Sequence, residues 1–224
     1  MRVAVFGASG RTGGLLVERC LAAGYEVTVL VRTPARTAAT FPWRDRVRVV
    51  EGSVFDAAAV RQTLSGAEAA TRAEVVLSAL GARSLKQESV LERAVPVIVE
   101  AMRAEGVQRI VALGSAGALE DSLKKQGAWQ RWIIQKIVYN TVLKWAVASQ
   151  ISQWKTLAAS GLDFTMVMPP MLTEGKGRGL ERVRVDGEAL PPRGSRIARE
   201  DVADFMMAQI EGGDWVGKGV YVAW

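Results

Sequence analysis

Three glycines at a fixed interval, Gly7-x-x-Gly10-x-x-Gly13, constrain this chain more than any other feature. Val3, Ala4, Val5 and Phe6 form an apolar run before them. Leu15, Leu16, Cys20 and Leu21 recur at helical spacing after them. Gly24 stops the helical pattern, and Val27 to Val31 read as a second buried strand closed by Arg32. Strand, glycine-rich turn, helix and parallel strand together make one βαβ unit. In such a unit Gly7 permits the tight turn, Gly10 lets a ligand approach the backbone, and Gly13 lets the helix pack closely. The helix N-terminus then offers N–H groups and a partial positive charge to a pyrophosphate.

The remaining chain continues the alternation. Strands are predicted at Arg46–Val50, Ala73–Leu80, Gln108–Leu113, Leu162–Met168 and Val220–Ala223, with a short extra one at Arg182–Val185. Helices are predicted through Leu64 with Asp56 as cap, over Ser89–Gly106 with a kink or boundary at Pro96, and over Arg199–Ile210. This order predicts an α/β fold of Rossmann type, doubly wound, with a mainly parallel sheet and helices on both faces. One domain over residues 1–224 is the expectation, carrying a helical tryptophan-rich segment at about 119–159 and a small substrate-side region at about 169–198. Gly7–Gly13, Gly52-Ser53, Ala79-Leu80-Gly81 and Gly114-Ser115 all fall at strand ends, so they converge on one crevice.

Composition removes whole classes of chemistry. The chain has no histidine, which excludes Ser-His-Asp hydrolysis, imidazole acid–base catalysis and the usual zinc sites, so no metal is expected. Its one cysteine, Cys20, lies on the apolar face of the first helix and suits a reducing compartment. With no leader pattern and no long uncharged apolar run, a cytoplasmic location is expected and a membrane is not. The net charge of +6 is scattered, without a nucleic-acid motif, and fits a pocket for a polyanionic cofactor better than nucleic acid. No Asp or Glu lies between Val27 and Arg44, where an acid would bond ribose hydroxyls; Arg32 and Arg36 there suit a 2′-phosphate, and so NADP(H) rather than NAD(H).

The turn GASGRTG resembles the G-x-x-G-x-x-G signature of the atypical and extended short-chain dehydrogenase/reductases. More narrowly, the chain is similar to their NAD(P)H-binding, NmrA-like group, which includes biliverdin and flavin reductases. VLVR, VMPPMLT and RIAREDVADFMM extend the likeness through most of the sequence. The resemblance implies that Gly7, Ala8, Ser9, Gly10, Arg11, Thr12 and Gly13 hold the pyrophosphate, and that Arg32, with Arg36, holds the 2′-phosphate. It implies that Ser53 and Val54 flank the adenine and that Ala79, Leu80, Gly81 and Arg83 line the middle of the cofactor. Ser115 then lies near the nicotinamide, which Pro169, Pro170 and Met171 cover.

The catalytic residues are less defined. The main short-chain family uses a Tyr-x-x-x-Lys pair. Here Leu143 stands at that spacing from Tyr139, and Lys144 comes one later, about 140° around the helix. Lys136 precedes Tyr139 by three and is the remaining partner for it. Ser115 is the other candidate, as a donor to the acceptor or to the carboxamide, or as a small residue that permits close approach. Hydride transfer needs positioning more than acid catalysis, and water can supply the proton. The expected activity is NADPH-dependent reduction of a small conjugated acceptor such as a flavin or quinone. The alternative is a non-catalytic NADP(H)-binding regulator. The segment Leu119–Trp154, with Trp129, Trp132, Trp145 and Trp154, reads as a helix pair packed on the sheet, a lid over an aromatic acceptor, a dimer contact or a membrane-surface helix. Monomer and homodimer both remain open.

Overall fold

The computed structural model describes residues 1–33, 42–65, 71–81, 89–119, 121–133 and 144–224. Its centre is an eight-stranded sheet built from β1 (Arg2–Phe6), β2 (Glu26–Val31), β3 (Arg48–Glu51), β4 (Val75–Ser78), β5 (Arg109–Leu113), β6 (Asp163–Met168), β8 (Arg184–Asp186) and β10 (Lys218–Ala223). The order is β3-β2-β1-β4-β5-β6-β10-β8. All neighbours are parallel except β10 and β8, which pair antiparallel at the edge. A second, two-stranded sheet pairs β7 (Met171–Thr173) with β9 (Arg196–Ala198).

Helices cover both faces, as a buried parallel sheet requires. Side chains alternate along β1, so Val3 and Val5 join the core under α1 (Arg11–Ala22) and α6 (Arg199–Ala208). Ala4 and Phe6 join the opposite core, under α2 (Ala57–Ser65), α3 (Val90–Glu105) and α5 (Lys144–Ala158). On that side α2 packs on α3, and α3 on α5; on the other, α1 packs on α6. The strand order reverses at β1, with β2 and β4 on either side of it. That switch point opens a crevice beyond the carboxyl ends of the strands.

The doubly wound, mainly parallel architecture expected from the sequence is present. Asp56 caps α2 as expected, its Oδ1 accepting the Ala58 N–H at 2.9 Å. Pro96 does not break its helix: α3 runs unbroken from Val90 and stops at Gly106, a left-handed residue with φ 67°. The third strand begins at Arg48 rather than Arg46, because Arg44–Arg46 closes a 3-10 turn first. The short β7–β9 pair was not expected. Three-residue strands carry too little periodicity to stand out.

The start of α6 organises the C-terminal region. Asp201 is fully buried, and its carboxylate accepts the N–H groups of Arg178 (2.9 Å) and Gly179 (3.0 Å) and the indole N–H of Trp224 (2.7 Å). Glu200 accepts the Gly177 N–H at 2.8 Å. Two acids expected only to complement the helix dipole thus also fasten the loop after β7 over the helix start, which brings Leu172 and Glu174 beside the crevice.

Candidate functional site

The crevice has a volume of about 880 Å³. At its centre the chain leaves β1 through Gly7, whose φ of 83° belongs to the left-handed region that favours glycine. A Cβ at Gly7 would stand 2.7 Å from the Ala79 carbonyl oxygen, so the turn lies directly on the end of β4. The Gly10 N–H donates back to the Gly7 carbonyl at 2.9 Å, and α1 starts from the exposed Gly10. Gly13 and Ala8 are buried beneath the turn and hold its shape rather than lining the crevice.

From this centre the crevice extends both ways. One arm runs past Arg32 at the end of β2 to Ser53, Val54 and Phe55 after β3. There the Arg93 guanidinium sits 4.3 Å above the Phe55 ring. The other arm runs past Ala79, Leu80 and Gly81 to Leu113, Gly114 and Ser115 at the end of β5. Its far wall is α5, which contributes Ala146, Val147, Ser149 and Gln150. Of the residues expected to bind cofactor, Gly7, Ser9, Gly10, Arg11, Thr12, Arg32, Ser53, Val54, Ala79, Leu80, Gly81 and Ser115 therefore line one continuous space.

Besides Ala8 and Gly13, three more expected residues stand outside the lining. Pro169 is buried, its carbonyl accepting the Ala116 N–H at 2.9 Å. Pro170 leads into β7, and Met171 is 64% exposed. None of the three is in the crevice lining, whereas Leu172 is. Successive residues of an extended chain point to opposite sides, so the first residue of β7 turns outward and the second inward. Arg36, Arg83, Lys136 and Tyr139 lie outside the described residues.

The geometry fits a dinucleotide. The first turn of α1 contains no acid, and the leading N–H groups of a helix have no partners within it. Gly10 places no side chain before them. Two cations flank this cradle. Arg11 Nη1 donates to Glu174 Oε1 at 2.5 Å, and Arg199 Nε donates to the same oxygen at 2.9 Å. Arg199 Nη1 also reaches Thr12 Oγ1 at 3.5 Å. The hydrogen bonds from Arg199 and then Arg11 hold the Glu174 carboxyl below its usual range. Arg199 lies far from the glycine turn in sequence and was not expected here. The signal that could have found it is its place at the N-terminus of a helix packed against α1.

The tryptophan-rich segment divides by burial. Trp154 packs edge-on against Phe164, ring centres 5.5 Å apart, while Trp129, Trp132 and Trp145 are exposed. Trp129 and Trp132 stack with centres 5.6 Å apart, on α4 (Ala128–Ile133). Only the second helix of the segment, α5, is thus placed by described contacts on the sheet, and it also walls the crevice. Among the described residues no group of His, Cys, Asp or Glu could hold a metal, and no helix is long and apolar enough to cross a membrane.

The profile of the NAD(P)H-binding family matches residues 7–212. The chain belongs to the NAD(P)H-binding family. Solved structures agree on the fold. ChuY, an anaerobillin reductase of Escherichia coli, is 18% identical with a TM-score of 0.78, the alignment covering 100% of this chain and 97% of that one. A protein of Streptococcus pneumoniae assigned as a candidate NADH-flavin reductase is 19% identical with a TM-score of 0.76, covering 100% and 99%. A short-chain dehydrogenase/reductase of Veillonella parvula in complex with NADP is 18% identical with a TM-score of 0.76, covering 100% and 94%. NAD(P)H is accordingly the cofactor of this family member, and the fold is that of these reductases.

Proposed function

We propose that the protein is an NADPH-dependent reductase that delivers hydride to a small, flat, conjugated acceptor of the flavin or quinone class. The observation that carries this reading is the continuity of the crevice. One space joins the glycine-rich turn and Arg32 to a pocket bounded by Ser115 and the apolar and amide side chains of α5. A dinucleotide laid along the strand ends has its phosphates at Gly10 and its 2′-phosphate at Arg32, which favours NADPH over NADH. Its redox end then lies between Ser115 and α5, where a flat acceptor can stack. The solved relatives named as reductases of an anaerobillin and of flavin support the same acceptor class.

When bound, the cofactor supplies the hydride. The chain's own residues orient the acceptor and exclude water on the apolar side through Leu113, Ala146 and Val147. Acceptor A gains a hydride and one proton from solvent, so that NADPH + A + H⁺ becomes NADP⁺ + AH₂. The chain has no histidine to deliver that proton, and water can supply it. NADPH consumption measured with riboflavin, FMN and several quinones tests it.

A further inference from the structure

The wall of α5 carries a pair of amides that fix one another. Gln153 is 1% exposed, and its Nε2 donates to the Leu113 carbonyl at 3.0 Å and to Gln150 Oε1 at 3.2 Å. The Leu113 carbonyl can only accept, so the Gln153 atom facing it is the NH₂ group. The Gln150 atom that receives the same nitrogen must then be oxygen. This determines the orientation of the second amide as well. Its NH₂ is the group not taken up by Gln153, and it belongs to a half-buried side chain that lines the crevice beside Leu113, Gly114 and Ser115. Ala146 stands one helical turn before Gln150 on the same face, so the amide shares its wall with Ala146, Val147 and Ser149.

A donor held in that place matters for one kind of substrate. As hydride arrives at a conjugated acceptor, negative charge grows on the carbonyl oxygen conjugated with the accepting centre. A fixed N–H at that oxygen stabilises the transition state more than the ground state. A hydrophobic wall alone gives no such preference. We propose that Gln150 donates a hydrogen bond to the carbonyl oxygen of the acceptor, with Gln153 as its positioning residue, anchored on the end of β5. The site therefore selects acceptors with a carbonyl conjugated to the hydride-accepting centre. This inference rests on reading the crevice as a reductase site.

The test compares wild type with Gln150→Leu, Gln150→Glu and Gln153→Leu, each first checked for an unchanged melting temperature and NADP⁺ affinity. Two readouts are used: NADPH oxidation, and equilibrium binding of riboflavin to the NADP⁺-saturated protein. Menadione and riboflavin carry conjugated carbonyls; the hydride acceptor phenazine methosulfate carries none. Gln150→Leu should lower kcat/KM for menadione and riboflavin by about 10- to 100-fold while leaving phenazine methosulfate nearly unchanged. Gln150→Glu is nearly isosteric but presents an oxygen where the NH₂ stood, so it should do at least as badly, whereas a packing role alone predicts near wild-type behaviour. Gln153→Leu should give a smaller loss of the same selectivity, in kcat more than in KM. Should it fail to fold, the two Gln150 variants decide the matter. Equal losses for all acceptors, weakened NADP⁺ binding in Gln150→Leu, or no riboflavin binding by wild type would overturn the inference. Riboflavin binding that Gln150→Leu weakens, without any turnover, would uphold the donor and sink the reductase reading instead.

Discussion

Gly13 lies against Gly7 so closely that a Cβ on Gly13 would stand 2.0 Å from the Gly7 carbonyl oxygen. Both groups are backbone, so neither can swing aside. Gly13→Ala should therefore force α1 away from the turn and cost about 1–3 kcal/mol or more, read as a lower urea midpoint. Gly10→Ala meets only the Gly7 oxygen at 3.2 Å and should fold, yet bind NADP⁺ more weakly, because its methyl projects into the cradle. Equal stability of the Gly13 variant and wild type would mean that the turn is looser than described.

Arg32 ends β2 within the crevice, and no acid follows it before Arg44. Arg32→Asp should weaken NADP⁺ by about 10- to 100-fold, the scale of charge-assisted hydrogen bonds, and leave NAD⁺ nearly unchanged or slightly improved. Calorimetric titration with both nucleotides decides it. Parallel losses would show that Arg32 does not discriminate the 2′-phosphate.

Glu174 occupies both flanking arginines through one oxygen. Glu174→Gln should release Arg11 and Arg199 and tighten NADP⁺ severalfold, the scale of an exposed ion pair. Weaker binding would show that the carboxylate positions the arginines instead of competing for them. Stability follows the depressed carboxyl. The contribution of Glu174 is fully present above the ordinary glutamate value of about 4.3 and is lost as pH falls through the lower folded value. The difference in urea midpoint between wild type and Glu174→Gln should be level near neutrality and close below about pH 4.

Cys20 is fully buried on α1, its sulfur 3.5 Å from that of Met207, and burial pushes the thiol up to about 12. Native protein should therefore leave it unmodified by a disulfide-exchange reagent at pH 8, and urea-unfolded protein should react fully. Rapid reaction of the native form would contradict the packing of α1 against α6.

Much of this arrangement is readable along the chain, and the remainder is hidden for physical reasons. The cradle is local: Gly7 to Gly13, the strand before it and the helix after it are contiguous, so periodicity and glycine spacing expose them. Ser53, Ala79–Gly81 and Ser115 follow because a parallel sheet brings its carboxyl ends to one side. Arg199 and Glu174 are different. Their approach to Arg11 depends on Glu200 and Asp201 fastening the 177–179 loop and on the packing of α6 against α1. No spacing rule encodes such tertiary contacts. The outward turn of Met171 depends likewise on where β7 begins. The amide pair Gln150 and Gln153 sits in a helix whose tryptophans, Trp145 and Trp154, carry the stronger sequence signal, and its meaning emerges only when the Leu113 carbonyl is seen behind it.

The central claim is that a single crevice binds NADPH and passes its hydride to a conjugated acceptor, and the most direct test is the loss of NADPH absorbance in the presence of riboflavin or menadione. The account predicts saturable, protein-dependent consumption at about one turnover per second or faster, with NADH a poorer donor. Saturable NADP⁺ binding with no consumption of NADPH by any acceptor across a panel of flavins and quinones would contradict it.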